Sequence, residues 1–291
     1  MTKIVEKSKI WFSISLVLIV IGLGFMITKG LNFGIDFKGG TKLVVEFGKE
    51  FDKPAVDEIV KSIVPDAVTK TVDDTQYEIK DRDLDESKAS EVFTTLKETY
   101  ELSDDSLVSQ TQIGASVGKE LTRNSIVALV VACGAMLAYI AIRFKFDYAV
   151  AAIIALIHDV LITLAVYAVF DIPVNTPFIA AILTIVGYSM NDTIVIFDRI
   201  RENSKSMRKA TAAEIADKSI YQTLGRSIKT TVTTLIAIGA VNVFVPTIRE
   251  FSLPLLVGIT AGAYSSIFIA SPIWVKLREG KFAKNKREKV A

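Results

Sequence analysis

A carboxylate interrupts an apolar run that is long enough to cross a membrane. The stretch GYSMNDTIVIF (187–197) closes this run, and it contains Asn191 and Asp192. Placing a charged side chain in the centre of a bilayer costs roughly 2.5–3.5 kcal/mol on insertion scales, so such a residue is a candidate for function. Thr184 lies four residues before Tyr188, Tyr188 lies three residues before Asn191, and Asp192 follows directly. These polar side chains therefore form one stripe at helical period.

Further polar side chains could join this carboxylate in a relay for a proton or a cation. His158 and Asp159 lie near the middle of another apolar run, and Asp159 has no evident partner in the sequence. Arg226 precedes a threonine-rich run in which Thr230 lies on the same helical face. A carboxylate can load and release a proton, and a nearby guanidinium biases its pKa.

Two interpretations of Asp192 stay open from the residues alone. It could carry an ion, or it could form a static pair with Arg226 that fixes the packing of two helices. His158 taken by itself is predicted to be a hydrogen-bonded packing residue. Gly258 and Gly262, spaced by four, predict a close-packing helix face without chemistry.

Six apolar windows supply the elements that would position these residues. Each is long enough to cross a hydrocarbon core of about 30 Å, which takes about 20 helical residues. The windows lie near residues 10–28, 124–142, 148–170, 177–197, 228–246 and 252–275. The first exceeds a signal-peptide apolar region and lacks a small-residue cleavage site, so we expect a retained anchor. The predicted fold class is therefore a polytopic α-helical membrane protein.

The charged residues divide the chain into an acidic segment and a basic remainder. Residues 31–122 hold 20 Asp and Glu against 11 Lys and Arg, although the whole chain has a net charge of only +2. Lysine and arginine in short loops stay on the cytoplasmic side. A six-helix topology places nearly all of the remaining bases on one side, so both termini are predicted to be cytoplasmic and the acidic segment extracytoplasmic.

The acidic segment alternates strand and helix patterns. Residues 41–47 are rich in β-formers, and a helical pattern begins at Pro54. Two strand-like runs then flank Asp73 and Asp74 as in a hairpin. A second helical pattern and a final strand complete the order β-α-β-β-α-β of a ferredoxin-like α+β domain between the first two membrane helices. This fold hosts many functions and identifies none.

These patterns predict four parts and no enzymatic chemistry. The parts are the N-terminus with the first helix (1–30), the extracytoplasmic domain (31–122), a five-helix bundle (123–276) with a basic cytoplasmic loop (198–226), and a basic tail (277–291). The sequence contains no Walker-type phosphate loop, no nucleophile elbow and no metal-spaced cluster of His and Cys. We therefore expect no enzyme activity, no bound metal and no nucleic-acid partner.

Four motifs resemble those of the SecF proteins, which belong to the SecD/SecF family of bacterial protein-export subunits. They are NFGIDFKGGT (32–41), ALIHDVLITL (155–164), VNTPFIAAILTIVGYSMNDTIVIFDRIREN (174–203) and QTLGRSIKTTVTTL (222–235). The resemblance covers essentially the whole chain. Gly225 departs from the pattern, since the family more often has Ser there, but Arg226 is in place.

The resemblance implies half of a resistance–nodulation–division type transporter, whose other half is SecD. Such proteins are associated with the SecYEG channel and other Sec subunits in the bacterial cytoplasmic membrane. They use the proton-motive force, or in some relatives sodium, to promote late stages of polypeptide translocation. The implied partners are therefore SecD, SecYEG, the translocating polypeptide and membrane lipids. No cofactor is implied besides the coupling ion, H⁺ or Na⁺.

The resemblance also implies roles for particular residues. The coupling Asp and Arg of the family correspond to Asp192 and Arg226, and a further essential carboxylate lies on SecD. Additional candidates for ion coupling are Asn191 and Asp159. The side chains expected along a polar path are Thr184, Tyr188, His158 and Thr230. A hinge between the first helix and the external domain is expected at Asp36, Gly39 and Gly40.

Two other functions stay open. A self-sufficient exporter of small molecules or ions from the same superfamily would be active without SecD and would need a ligand-sized pocket. A purely structural assembly subunit would tolerate neutralisation of Asp192, provided that the complex still assembled.

Overall fold

The chain folds into two compact units. The computed structural model describes residues 3–72 and 74–288. One unit, here called the α/β unit, comprises Asn32–Val127 and Pro173–Thr176, and the remainder of the described chain forms the helical unit. The α/β unit therefore ends later than the predicted boundary at residue 122. It also includes a short segment that the sequence placed in a loop between membrane helices.

The elements follow one another with short connections. The first eight are α1 (Ser8–Thr28), α2 (Ile35–Lys38), β1 (Gly40–Glu46), α3 (Lys53–Ile63), β2 (Val68–Val72), β3 (Gln76–Asp81), α4 (Glu86–Tyr100) and β4 (Leu107–Ile113). The last six are α5 (Ala115–Arg143), α6 (Phe146–Val169), α7 (Thr176–Ser206), α8 (Ala212–Phe244), α9 (Arg249–Ser265) and α10 (Ser271–Glu288).

The α/β unit is built on a four-stranded antiparallel sheet. The strand order is β2-β3-β1-β4, and the described elements occur in the predicted order β-α-β-β-α-β. Alternate residues of β1 and β3, such as Leu43 and Ile79, point to one face and are fully buried. Helices α3 and α4 cover that face with Val60 and Leu96 among others. The hairpin prediction falls partly on Asp73, which lies outside the described residues.

A carboxylate of the opposite sheet face is surrounded by lysines. Glu78 pairs with Lys42 at 2.8 Å, Lys80 at 3.0 Å and Lys70 at 3.6 Å. Burial alone would raise the pKa of Glu78, but these three ammonium groups outweigh it and lower the pKa to about 2. Charge pairs therefore hold this face of the sheet.

A second carboxylate ties α3 to the sheet. Asp57 accepts hydrogen bonds from Lys53 at 2.5 Å, from Thr69 at 2.6 Å and from Tyr77 at 2.5 Å. Partial burial would raise the pKa of Asp57, but these donors outweigh it and lower the pKa to about 2. The same contact, together with burial, raises the pKa of Tyr77.

Six helices of the described chain are long and apolar enough to cross a membrane. They are Ser8–Thr28, Ser116–Ile140, Phe146–Val169, Thr176–Ser206, Ala212–Phe244 and Arg249–Gly280. The sixth combines α9 and α10 through a π-helical turn at Ser266–Ala270. Each overlaps a predicted apolar window, so the six-helix prediction is confirmed.

The helices extend beyond the apolar windows, mainly around the predicted loop 198–226. Helix α7 continues to Ser206, and α8 begins directly after Thr211. A capping box starts α8, because the hydroxyl of Thr211 accepts from the amide of Glu214 and the carboxylate of Glu214 accepts from the amide of Thr211. Hydropathy indicates where the apolar part of a helix ends, whereas capping decides where the helix itself ends. Most of residues 198–226, which were predicted to form a loop, are therefore helical.

Small residues let α9 approach α7 closely. A Cβ atom on Gly258 would fall 2.2 Å from Ile185, and one on Gly262 would fall 2.9 Å from Ser189. Both distances are shorter than real carbon contacts allow. The predicted close-packing face at these glycines is therefore confirmed.

We expect the stability of the α/β unit to fall as the pH falls from about 4 towards 2. The folded state lowers the pKa of Asp57 from 3.8 to about 2, which corresponds to stabilisation of about 2 kcal/mol. Because the folded pKa is the lower one, this stabilisation is present above the unfolded pKa and is lost as Asp57 protonates. Glu78 contributes with the same sign.

The measurement is hydrogen exchange of β1 and β3 amides in the full chain. The variant Asp57→Asn should lower protection at pH 6 and flatten its dependence on acid pH. Asp66→Asn, which changes an exposed aspartate of the same unit, is the matched control. Equal loss of protection in both variants would contradict the role given to Asp57.

Candidate functional site

The polar stripe of the sequence lies on α7, and its members have different environments. Asp192 is buried, with 4% of its surface exposed, whereas Asn191 is exposed. The hydroxyl of Tyr188 donates to Thr234 of α8 at 3.1 Å. Thr184 instead donates to the carbonyl of Ala180 on its own helix at 2.9 Å. Only part of the stripe is therefore directed at a neighbouring helix.

Asp192 faces α8 with an oxygen that has no hydrogen-bond partner. Its Oδ2 atom is buried and has no hydrogen bond within 3.5 Å among the described residues, and neither have the buried hydroxyls of Ser227 and Thr231 on α8, although Thr231 is close enough to interact with the carboxylate. Arg226 is near enough to act on Asp192 electrostatically, but the two do not form an ion pair within 4.0 Å. Arg226 itself is exposed. The structure therefore places the predicted pair in one region without joining it.

This arrangement is suited to holding a proton, a water molecule or a small cation. A buried polar group left without a partner costs about 1–3 kcal/mol, so three such oxygens in one region call for an occupant or a function. Carboxylate and hydroxyl oxygens are ligands for hard cations and acceptors for a proton. Across residues 3–72 and 74–288, no group of three or more His, Cys, Asp and Glu side chains could hold a metal ion.

The other intramembrane carboxylate, Asp159, has the opposite environment. It is fully buried and accepts hydrogen bonds from Ser189 at 2.5 Å and from Ser265 at 2.8 Å. The Nδ1 atom of His158 lies 2.9 Å from its second oxygen, and Nε2 lies 2.9 Å from the hydroxyl of Ser15. The sequence analysis found no partner for Asp159, whereas the structure gives it three.

This network connects four membrane helices. Ser15 lies on α1, His158 and Asp159 on α6, Ser189 on α7 and Ser265 on α9. A satisfied buried polar network makes packing specific, and His158 contributes to it as the predicted packing residue. Ser189 precedes Asp192 by three residues, so the network fixes the position of α7 one turn from the open carboxylate.

A π-helical turn adjoins the same region. Thr193, the neighbour of Asp192, hydrogen-bonds Ser266 at 2.8 Å, and Ser266 begins the π-helical turn between α9 and α10. Single π turns inside α-helices are frequent at functional sites because they re-aim side chains. The turn thus supports the α7 face next to Asp192.

The predicted polar path is interrupted at one of its threonines. The hydroxyl of Thr230 donates to the carbonyl of Arg226 at 3.0 Å, within its own helix. Ser227 and Thr231 are not among the residues predicted from the sequence, but their hydroxyls are buried without hydrogen-bond partners on α8, and Thr231 is close enough to interact with Asp192. Isolated hydroxyls on an apolar helix give no periodic signal, so the sequence offered no way to choose among them.

The signature segment around Asp36 is joined to the start of α7. The Oδ2 atom of Asp36 accepts from the amide of Thr176 at 2.8 Å, and Thr176 is the first residue of α7. Phe33 and Val174 form a parallel β-bridge. An N-terminal amide needs an acceptor, and a carboxylate there also interacts favourably with the helix dipole. Within the α/β unit, Asp36 therefore caps the helix that carries Asp192.

Close packing explains two glycines of this segment. Gly40 has φ +142°, and a Cβ atom there would fall 2.5 Å from the carbonyl oxygen of Asp81. A Cβ atom on Gly34 would fall 1.6 Å from Oδ1 of Asn175. Gly39 also has positive φ, +81°. Positive φ and close packing thus require glycine at this corner, and its role as a hinge stays a prediction.

The family comparisons agree with the motifs. Two family models match, namely the C-terminal model of the protein export membrane protein SecD/SecF over residues 92–280 and the SecD/SecF GG motif over residues 24–50. The protein translocase subunit SecF of Sebaldella termitidis is 40% identical over 287 residues, covering 96% of this chain and 92% of the relative. That of Pseudomonas aeruginosa is 38% identical over 271 residues, covering 91% and 89%.

Two crystal structures of SecDF are also similar. The structure of SecDF from Thermus thermophilus, described as a translocon-associated membrane protein, matches with a TM-score of 0.83 at 34% identity. The matched region covers 94% of this chain and 38% of the SecDF chain. SecDF in a super-membrane-facing form matches with a TM-score of 0.73 at 31% identity, covering 97% and 39%. The chain thus spans about two fifths of the SecDF chains that it matches.

We expect Asp159→Ala to destabilise the protein more than Asp192→Ala. The first substitution removes the partner of Ser189 and of Nδ1 of His158, at about 1–3 kcal/mol for each buried group left unpaired, while Ser265 keeps the carbonyl of Gly262. The second removes an oxygen that already lacks a partner. Because both changes open a cavity of the same size, the difference isolates the hydrogen bonds.

The measurement is the midpoint of thermal unfolding of the full chain in one detergent. A clearly lower midpoint for Asp159→Ala is expected. Equal midpoints for the two variants would show that the network around Asp159 does not stabilise the fold.

Proposed function

The chain belongs to the SecD/SecF family of protein export membrane proteins, and from that premise we propose that it couples ion movement through the membrane to polypeptide export. In this proposal it is the accessory SecF-type subunit of the Sec translocase and works with SecD beside the SecYEG channel. The proton-motive force, or a sodium gradient, drives it. Both termini are cytoplasmic, and the α/β unit is a ferredoxin-like domain on the outer side.

The observation that carries this proposal is the open carboxylate of Asp192. A buried carboxylate that served only as architecture would be expected to have its acceptors filled, as those of Asp159 are. Asp192 instead keeps a buried oxygen free opposite two free hydroxyls, with Arg226 within electrostatic range. Such a group can lose and regain a proton or bind a cation, and Arg226 would favour the ionised form.

The energy of a membrane potential is sufficient for such a role. One elementary charge that crosses 100 mV gains about 2.3 kcal/mol. Two conformations that differ by a few kcal/mol can therefore be interconverted by the passage of one or a few ions. The chain would act as a transducer, in line with the naming of its relatives as translocase subunits.

The exposure of the helices supports a SecD partner. Helices α6, α7 and the sixth span bury 50–61% of their most apolar windows, whereas α1, α5 and α8 bury only 6–11%. Arg226 lies on α8, among the exposed helices. SecDF chains are much longer than this one, so the remaining half of a SecDF-like assembly would cover the face that contains Arg226.

The hydrogen bond between Asp36 and Thr176 supports a route by which movement of α7 could reach the α/β unit. Both residues belong to the α/β unit, and α7 continues from Thr176 to Asp192 along one uninterrupted helix. In the proposal, a shift of α7 that follows ion loading reaches the α/β unit through this cap and the adjacent β-bridge. Because the glycines of this corner are closely packed, the corner would move with α7 as one rigid piece.

One observation favours a second function, a self-sufficient exporter. A cavity of about 540 Å³ lies beside His158, lined mostly by apolar side chains of α1, α6 and α9. This volume suits a small molecule. The cavity does not include Asp192 or Arg226 in its lining. Export of a small molecule by the chain without SecD would favour this alternative.

We expect Asp192→Asn to abolish gradient-dependent export while the complex with SecD still assembles. Asparagine keeps the volume of the side chain but cannot be protonated or bind a cation with a full charge. Completion of secretory export would be assayed with and without an ion gradient, and assembly would be measured by co-purification with SecD.

Asp198→Asn is the matched control, because it neutralises an aspartate of the same helix that is partly exposed. It should leave the response to the gradient in place. If gradient-dependent export persists in Asp192→Asn, the structural assembly subunit becomes the better description.

We expect Gly40→Ala and Asp36→Ala to reduce gradient-dependent export as well. Alanine at Gly40 collides with the backbone at Asp81, and alanine at Asp36 removes the cap from α7. Gly114→Ala is the control, because its Cβ would lie 3.8 Å from the nearest atom and it has no positive φ. The measurement is the same export assay, together with hydrogen exchange at the start of α7. Normal export in both variants would exclude a transmitting role for this corner.

A further inference from the structure

A second site is visible at the end of the helical unit where α5, α6, α7 and α10 meet. A cavity of about 600 Å³ lies there, and its lining includes five basic side chains and no carboxylate. The five are Arg143, Lys145, Arg201, Lys205 and Arg278. None of them belongs to the ion-coupling region around Asp192, and the proposal below does not depend on that region.

The carboxylates around this cavity neutralise it only in part. Asp198 lies 3.5 Å from Arg143 and 3.9 Å from Arg201, and Asp147 lies 3.9 Å from Arg278. Charge-assisted hydrogen bonds are normally about 2.7–2.9 Å long. The two contacts of Asp198 are therefore loose, and the cavity lining itself holds five bases and no carboxylate. The site keeps guanidinium and ammonium donors for another anion.

Aromatic contacts hold two of the bases together. The guanidinium groups of Arg143 and Arg201 lie 5.3 Å and 5.9 Å from the centre of the Phe144 ring. Like charges repel each other when they are held on one ring, and Asp198, at 3.5 Å and 3.9 Å from the two guanidinium groups, offsets that repulsion only in part. Guanidinium groups are well suited to bind phosphate oxygens.

Exposed apolar side chains lie at and beside the cavity. Ile142 lines it and is 88% exposed, and Phe146, which follows Lys145 in the chain, is 72% exposed. A soluble anion gains nothing from contact with exposed apolar side chains, whereas the acyl chains of a lipid pack favourably against them. Basic pockets between membrane helices are sites for anionic headgroups, and long basic side chains reach from apolar surfaces to the interface.

We propose that this basic cavity binds a phosphate group, and that the headgroup of an anionic phospholipid such as phosphatidylglycerol supplies it. Arg143 and Arg201 bind the phosphate oxygens, Lys145, Lys205 and Arg278 complete the positive field, and Ile142 and Phe146 contact the acyl chains. The bound lipid joins the ends of α5, α6, α7 and α10. The site is on the side of the membrane that the basic residues indicate to be cytoplasmic.

The test uses the full chain and measures lipid retention by native mass spectrometry from micelles that contain phosphatidylglycerol and phosphatidylcholine. The variant Lys145→Gln/Lys205→Gln changes two exposed lysines of the cavity. The control Lys209→Gln/Lys218→Gln removes the same charge from lysines outside its lining. We expect at least tenfold preference for phosphatidylglycerol in the wild type and the control, and loss of that preference in the cavity variant.

Further measurements distinguish a lipid phosphate from a soluble one and a lipid from a partner protein. Inorganic phosphate that displaces phosphatidylglycerol at millimolar concentration would show a site for a soluble anion and overturn the lipid assignment. Equal loss in the cavity variant and the control would show diffuse surface charge. Loss of the lipid when SecD is co-purified would assign the cavity to the partner. Arg201→Gln, tested in the same way with its unfolding midpoint, replaces the double variant if that one does not fold.

Discussion

A carboxylate buried in a membrane helix must have its oxygens satisfied, and the helical unit meets this constraint in two opposite ways. Asp159 is bonded by a histidine of its own helix and by serines of α7 and α9, and is fixed in place. Asp192, one turn beyond Ser189 on α7, keeps a buried oxygen free. The first arrangement gives the bundle a specific packing. The second leaves a group whose charge can change, and its position is defined because the first is rigid.

Helix α7 carries or adjoins each of the sites described above. It is capped by Asp36, it donates from Ser189 to Asp159, it carries Asp192, and it ends beside the basic cavity with Arg201. A helix transmits displacement along its axis because its backbone hydrogen bonds are internal. In the proposed function, ion binding near the middle of α7 would therefore displace both of its ends. The helix joins features that lie far apart in the sequence.

Much of the fold could be predicted from the sequence, because it rests on hydropathy and local patterns. The six membrane helices, the strand and helix order of 41–113 and the packing glycines of α9 follow from periodicity. The partners of Asp159 could not be predicted. Its serine donors Ser189 and Ser265 come from two different helices, Ser15 joins the network from a third through His158, and a lone serine in an apolar helix carries no pattern. The separation of Asp192 from Arg226 also depends on helix packing, which the motifs do not encode.

The incomplete site at Asp192 is itself an argument about assembly. A single chain that had to retain a free buried oxygen and two free hydroxyls would be destabilised by several kcal/mol without any gain. The cost is tolerable if an ion or a group from a second subunit fills the site during the working cycle. Arg226 lies on α8, which buries little of its own surface within the chain. In the proposed function, a partner that contributes half of the site would account for both the unsatisfied oxygens and the exposed helix.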